Sequence, residues 1–131
     1  MAQDAYSPRV RELFRHTPGA GSLDGEGVRC GRAGGAEHGA EVVLWVRVLE
    51  GAIQEARFQV LGCPHTVAAA ALLVEGLAGQ PAAAARVDTT AISERLLLPV
   101  EKLGRVLLLE DALLDALAGV RGPDRDASSP E

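Results

Sequence analysis

Hydrophobic and polar positions along this chain of 131 residues change their spacing several times, and each spacing predicts an element. Apolar and polar residues alternate through "AIQEARFQV" at 52–60, which predicts a β-strand with one buried and one wet face. The preceding "EVVLWVRV" at 41–48 is apolar on both faces and predicts a second strand. Between them "LEGA", centred on Gly51, predicts a short hairpin turn.

The first apolar pattern with helical spacing follows Ser7 and Pro8. Serine is a common helix N-cap and proline suits the first helical position, so a helix is predicted to begin here and to end near His16. Its apolar face consists of Val10, Leu13 and Phe14.

The segment from about His65 to Ala78 is apolar almost all round, which is typical of a central helix, and Gly79 ends it. Shorter helices are predicted at 80–86 and 91–96, the second after the capping candidates Asp88 and Thr89. Pro99 opens a last helix to about Val120. Its predicted apolar stripe is Leu103, Val106, Leu107, Leu114 and Leu117, with Glu110 and Asp111 facing out.

Residues 17–40 are rich in glycine and predict a long loop or a weakly paired edge strand. Both Cys30 and His38 fall in this segment. The polar residues 122–131 predict a disordered tail after one folded domain at 1–121.

Composition narrows the function classes. Apolar residues make up 47% of the chain and charged residues 24%, the profile of a soluble globular protein. The net charge is −5 and no face concentrates Lys and Arg, which argues against a nucleic-acid partner. Apolar runs of about ten residues are too short to cross a membrane. The start "MAQDAYSPRVRELF" lacks a secretory signal, and two cysteines make no disulfide framework, so a cytoplasmic location is expected.

Cys63 is the first residue that could carry chemistry, because it lies where a strand gives way to a helix. Unpaired N–H groups at a helix N-terminus favour a thiolate and lower the pKa of a cysteine. The same position also suits a buried, inert residue that fills a gap. Position alone leaves both interpretations open.

The four residues Cys63, His65, His38 and Cys30 could together bind a metal, since thiol and imidazole groups suit zinc or an iron–sulfur cluster. Their spacing matches no strict zinc pattern, and a histidine at a helix start is more often a surface or capping residue. No Ser-His-Asp set, phosphate-binding loop or HExxH motif accompanies them.

Several blocks, in the right order over about residues 6–120, resemble the IscU/NifU-type iron–sulfur cluster scaffold family. "GAIQEARFQVLGC" at 51–63 is similar to the family's G-x-I-x-D-A-R-F-x-x-F-G-C. "LLVEGLAGQP" at 72–81 resembles L-x-E-x-x-x-G-K. "LLLPVEKLGRVLLLEDALLDAL" at 96–117 resembles L-P-P-V-K-L-H-C-S-x-L-A-E-D-A-I-x-A-A, and "YSPRVRELFRHTPGAGSLDG" at 6–25 resembles the opening helix and turn.

The resemblance implies an α+β fold of the SufE/IscU-like kind, in which a small antiparallel sheet of about three strands is covered by helices on one face. It implies a scaffold that is not an enzyme. Such a scaffold receives sulfur from a cysteine desulfurase, binds iron, holds a [2Fe–2S] cluster and works with other iron–sulfur assembly proteins.

The family's site residues match this sequence only in part. Cys63 matches the middle of three cluster cysteines, and His38 matches the first. The family's aspartate falls on Ala40, and its His–Cys pair falls on Gly104 and Arg105. One cluster cysteine of three is therefore present.

The resemblance then implies that iron or a labile [2Fe–2S] cluster, with zinc as another metal, binds through the reduced set Cys63, Cys30, His38 and His65. Arg105 stays protonated and cannot bind metal, but a cation there favours a thiolate. Lys102 and Pro99 remain from the segment that the family's chaperone uses. Two alternatives stay open: Cys63 alone accepts a persulfide, as in SufE-type sulfur acceptors, or a non-catalytic regulator binds a cysteine desulfurase.

Overall fold

The fold consists of seven regular elements in a computed structural model that describes residues 6–35, 37 and 39–118. In chain order they are α1 (Pro8–His16), β1 (Val28–Gly35), β2 (Ala40–Leu49), β3 (Ala52–Leu61), α2 (Pro64–Leu77), α3 (Thr89–Leu96) and α4 (Leu103–Ala116). Short 3₁₀ turns at Ala82–Ala84 and Val100–Lys102 connect the last helices.

The three strands form one antiparallel sheet in the order β1-β2-β3. The turn between β2 and β3 consists of Glu50 and Gly51, which both have positive φ angles, of 54° and 81°. Two consecutive residues of this kind match the twist of a tight hairpin. The predicted hairpin is confirmed.

The sheet buries one face under the helices. Val42, Leu44, Val46 and Phe58 are almost fully buried on that face. On the other face Trp45 is half-buried, and Glu55 forms ion pairs with two arginines, at 3.7 Å from Arg47 and 3.3 Å from Arg57. The predicted α+β architecture, with helices on one face of three strands, is confirmed.

Strand β1 lies in the glycine-rich segment and contacts α4. A side chain at Gly31 would collide with the backbone of Ala112 and Ala116, so only glycine lets the strand and the helix approach this closely. The backbone N–H of Arg32 donates to Asp115 Oδ2 at 3.0 Å, so a side chain of α4 satisfies part of the sheet edge.

Helix α2 lies at the centre of the helical layer, as predicted. Every residue from His65 to Val74 is buried, because the helix packs against β3 on one side and against α1, α3 and α4 on the others. The small side chains of Ala68–Ala71 allow these close contacts. This position fixes the start of α2, and with it Cys63, relative to the sheet.

Some predicted elements differ from the observed ones. The helix expected at 80–86 is only the 3₁₀ turn, and the last helix begins at Leu103 because the chain from Pro99 first makes another 3₁₀ turn. Phe14 and three residues of the predicted core stripe, Leu103, Leu107 and Leu114, are exposed. The predicted end near Val120 and the tail at 122–131 lie outside the described residues.

Over the described ranges, no helix combines the length and the apolar content that crossing a membrane would require.

Candidate functional site at the start of helix α2

Cys63 is the N-cap residue of α2. Strand β3 ends at Leu61, Gly62 carries the chain round, and Cys63 has extended backbone angles immediately before Pro64. Its carbonyl accepts hydrogen bonds from the N–H groups of Thr66 and Val67, at 3.0 and 3.2 Å. The strand end and the first helical turn therefore hold a half-buried free thiol in a fixed place.

The surroundings of the thiol favour its charged form. Burial raises the pKa of Cys63, but a hydrogen bond with the Thr66 side chain, the backbone N–H groups of Thr66 and His65, and the charge of Lys102 together lower it below its ordinary value. The Thr66 hydroxyl oxygen lies 3.6 Å from the sulfur. The two backbone N–H groups stabilise the negative charge of the thiolate, although the Cys63 side chain forms no capping hydrogen bond with the helix.

The end of the sheet surrounds this junction. A Cβ built on Gly62 would lie 3.2 Å from the Cβ of Ala40 and 3.5 Å from Thr66. Arg105, in the first turns of α4, reaches the same end of the sheet, since its Nη2 would lie 3.3 Å from a Cβ built on Gly39. Positions 40 and 105, which the sequence resemblance pairs with an aspartate and a cysteine, are thus near the junction, but they carry a methyl group and a guanidinium.

Lys102 approaches from the turn before α4, and its ammonium lowers the pKa of Cys63. From the sequence, Lys102 was noted only as a residue kept from the segment that the family's chaperone uses. The structure adds an electrostatic effect on the thiol.

Cys30 does not belong to this site, in contrast to the predicted ligand set. It pairs with Trp45, which pairs with Arg57 on β3, six residues before Cys63. Six residues along a strand correspond to about 20 Å, and crossing two strand spacings adds roughly 10 Å sideways. Two sulfurs that share one metal lie within about 5 Å of each other. The pairing register of β1 therefore keeps Cys30 away.

His65 is close to Cys63 in sequence, yet its ring lies inside the protein. Its side chain is only 1% exposed, and the ring packs on Tyr6 with 4.7 Å between ring centroids. Its backbone N–H acts on the thiol, while its imidazole takes part in the packing of α2. His38, the other predicted imidazole ligand, lies outside the described residues.

The described part of the chain contains no group of three or more His, Cys, Asp and Glu placed to hold a metal ion. At the junction it presents one thiol, one hydroxyl, the ammonium of Lys102 and the guanidinium of Arg105, a set that suits a nucleophilic thiolate. Sequence reasoning missed Thr66. Its spacing of three residues from an N-cap is the spacing at which a side chain folds back on the cap, and this signal could have identified it.

Comparison with known proteins agrees with this fold. The family described as NifU-like N terminal domain matches residues 5–124. The iron–sulfur cluster assembly scaffold protein IscU of Escherichia coli strain K12 is 34% identical over 118 residues, which cover 87% of this chain and 92% of IscU. IscU of Azotobacter vinelandii is 32% identical over 117 residues, covering 86% and 91%.

Among solved structures, a protein of Fervidobacterium islandicum AW-1, assigned as an iron–sulfur cluster assembly scaffold for the SUF system, is similar with a TM-score of 0.68. The similarity covers 89% of this chain and 99% of that one. The sequences are only 16% identical, so this likeness concerns the fold alone.

Proposed function

Because this chain belongs to the NifU-like N-terminal domain family, we propose that it works in iron–sulfur cluster assembly as a scaffold-type protein. In this proposal the sulfur atom of Cys63 receives the incoming sulfur. The observation that carries the proposal is the thiol at the start of α2, whose pKa is lowered although burial acts in the opposite direction. A thiolate is the form that attacks sulfur. The relatives' names support the assembly role.

The sulfur donor in this proposal is the persulfide of a cysteine desulfurase. The Cys63 thiolate attacks the outer sulfur of that persulfide, and a new S–S bond forms on Cys63. The original S–S bond breaks, and the desulfurase cysteine leaves as a thiolate with the electron pair. No oxidant or reductant is consumed. The protein acts as a carrier in this step and turns over no substrate of its own.

Iron or a [2Fe–2S] cluster is the cargo in the second part of the proposal. A cluster needs about four ligands, chiefly thiolates, and the described residues supply Cys63. His38 is the remaining sequence-predicted ligand for this cargo, or for zinc, and further ligands would have to come from another chain or from small thiols. The names of the relatives favour this cargo.

The test is a sulfur-loading reaction without oxygen. The purified protein is mixed with cysteine and a cysteine desulfurase, with or without ferrous iron, and analysed by mass spectrometry and visible absorption. We expect one added sulfur atom on Cys63 in the native protein and in Cys30→Ser, and none in Cys63→Ser. With iron, an absorption band that depends on Cys63 and not on Cys30 is expected.

Two other results of this sulfur-loading reaction would contradict the structure or the proposal. A band that disappears in Cys30→Ser would contradict the placement of Cys30 on β1. Binding of the desulfurase by both the native protein and Cys63→Ser, without added sulfur or a band, would replace the proposal by the regulatory alternative.

A further inference from the structure

Two clefts lie along the outer side of α4. The first, of about 370 Å³, is lined by Leu103, Val106 and Leu107 on the α4 side. The second, of about 200 Å³, is lined by Glu110, Leu113 and Leu114 on that side. Each residue of the second set follows one of the first by seven positions, which is about two helical turns. The clefts are therefore in line, and we call them together the α4 groove.

The opposite wall of the α4 groove is the chain that leads into and through α3. Residues 85–87 line the second cleft, and 89–94 contribute to the first, so this wall runs antiparallel to α4. From Leu103 to Leu114 the groove is about 17 Å long at 1.5 Å per helical residue. A helix of about three turns fits this length.

The α4 side of the groove presents a row of exposed leucines. Leu103, Leu107 and Leu114 are 40%, 53% and 46% exposed, while Val106 and Leu113 form a buried floor between them. The other side of α4 is already buried against β1 and β2. Single exposed leucines are ordinary, but a row along a helix that is apolar on both sides is typical of a docking face.

Two of the three charged residues that line the α4 groove are carboxylates, and the third is Arg86. Glu94 stands on the α3 wall, Glu110 interrupts the leucine row, and the exposed Asp111 follows it. Within the described ranges none of these three carboxylates forms a salt bridge, although Arg86 lines the same cleft as Glu110. A polar residue within an apolar helical seam determines which residue of a partner helix is favoured opposite it, and a carboxylate favours Lys or Arg there.

From the leucine row and these unpaired carboxylates we infer that the α4 groove binds an amphipathic helix of a partner protein. The helix is about three turns long, with apolar side chains towards α4 and Lys or Arg along its edges. The groove begins one residue after Lys102 and runs along α4 away from the Cys63 junction. A bound helix would therefore lie beside the sulfur-receiving site and leave it open. The inference stands whether or not Cys63 accepts sulfur.

The test uses two synthetic amphipathic peptides of about 18 residues, long enough to form a helix. Both carry leucine on one face; one carries lysine on the flanks and the other glutamate. Fluorescence anisotropy gives the affinity, and backbone amide NMR shifts locate the peptide on the full chain. We expect the lysine peptide to bind at least about ten-fold more tightly than the glutamate peptide. Its shifts should be confined to 85–94 and 103–114.

Variants separate specific docking from general attraction to an acidic protein. Leu107→Lys and Leu114→Lys should each weaken lysine-peptide binding about ten-fold, and Glu110→Gln should weaken it less. Phe14→Lys changes an equally exposed apolar residue on α1 and should have no effect. The inference is overturned if both peptides bind equally, if neither binds, or if the leucine variants bind normally. It is also overturned if ultracentrifugation shows a dimer that Leu114→Lys dissociates, because a second copy would then occupy the groove.

Discussion

The hydroxyl oxygen of Thr66 lies 3.6 Å from the sulfur of Cys63, and Thr66 is completely buried one turn into α2. This pair links the fold to the chemistry, because the central packing of α2 fixes the hydroxyl. Burial raises the pKa of Cys63, and the hydrogen bond with Thr66 is the largest of the contributions that lower it.

Replacing Thr66 by valine, which has nearly the same shape, should raise the pKa of Cys63. A thiol is alkylated as its thiolate, so the pH profile of iodoacetamide labelling should move to higher pH, and the rate at neutral pH should fall roughly two- to five-fold. Labelling sites are identified by mass spectrometry. Thr90→Val, on exposed α3, is the matched control. A Thr66→Val profile that overlays the native one would rule out this role of the hydroxyl.

Lys102 should act on Cys63 through charge alone. Lys102→Gln is expected to shift the labelling profile to higher pH, whereas Lys102→Arg keeps the charge and should leave it in place. The difference between the two variants should shrink as salt is added, since salt screens exposed charges. If the glutamine variant behaves like the native protein at low salt, Lys102 has no electrostatic effect on the thiol.

Most of the fold could be predicted from the sequence, because the hairpin, the capped helices and the apolar central helix each carry a local signal. For residues 17–40 the sequence left a long loop or a weakly paired edge strand open and could not place β1 within them, since "VRCGRAGG" lacks the alternation that marks a half-buried strand. Gly31 in this strand is instead required by the close packing of β1 on α4. Gly31 lies against the backbone of α4, a contact that no local pattern reveals.

Gly31→Ala should therefore destabilise the protein. The added methyl group meets the backbone of Ala112 and Ala116, which cannot move aside as a flexible side chain would. The expected loss in the free energy of unfolding is about 1–3 kcal/mol in urea denaturation. Gly76→Ala is the opposite control, because its Cβ in α2 meets nothing within 4 Å, and it should gain about 0.5–1 kcal/mol. Equal effects of the two variants would contradict the close packing at Gly31.

The candidate site could be predicted in its central residue and in the two cations near it, Lys102 and Arg105, but not in its other residues. Cys63 was identifiable because a strand end and a helix start meet there. Cys30 and His65 were included for their residue types, but their places depend on the register of β1 and on the packing of α2. Neither the register of a strand nor the packing of a helix can be read from how far apart two residues are in the sequence. The same limit applies to α4, because Leu103, Leu107 and Leu114 were predicted to face the core and are exposed.

The substitutions at 40 and 105 lead to the last prediction, a gain of cargo binding. Both positions lie at the end of the sheet near Cys63, where they hold a methyl group and a guanidinium that cannot bind iron. Arg105→Cys supplies a second thiol and removes a positive charge that opposes a metal cation. We expect this variant, alone and combined with Ala40→Asp, to show a stronger iron–sulfur absorption band per chain in the sulfur-loading reaction. Arg95→Cys adds a thiol on α3 and should not strengthen the band. If Arg105→Cys gives no more absorption than Arg95→Cys, the missing ligands are not what limits cluster binding by this chain.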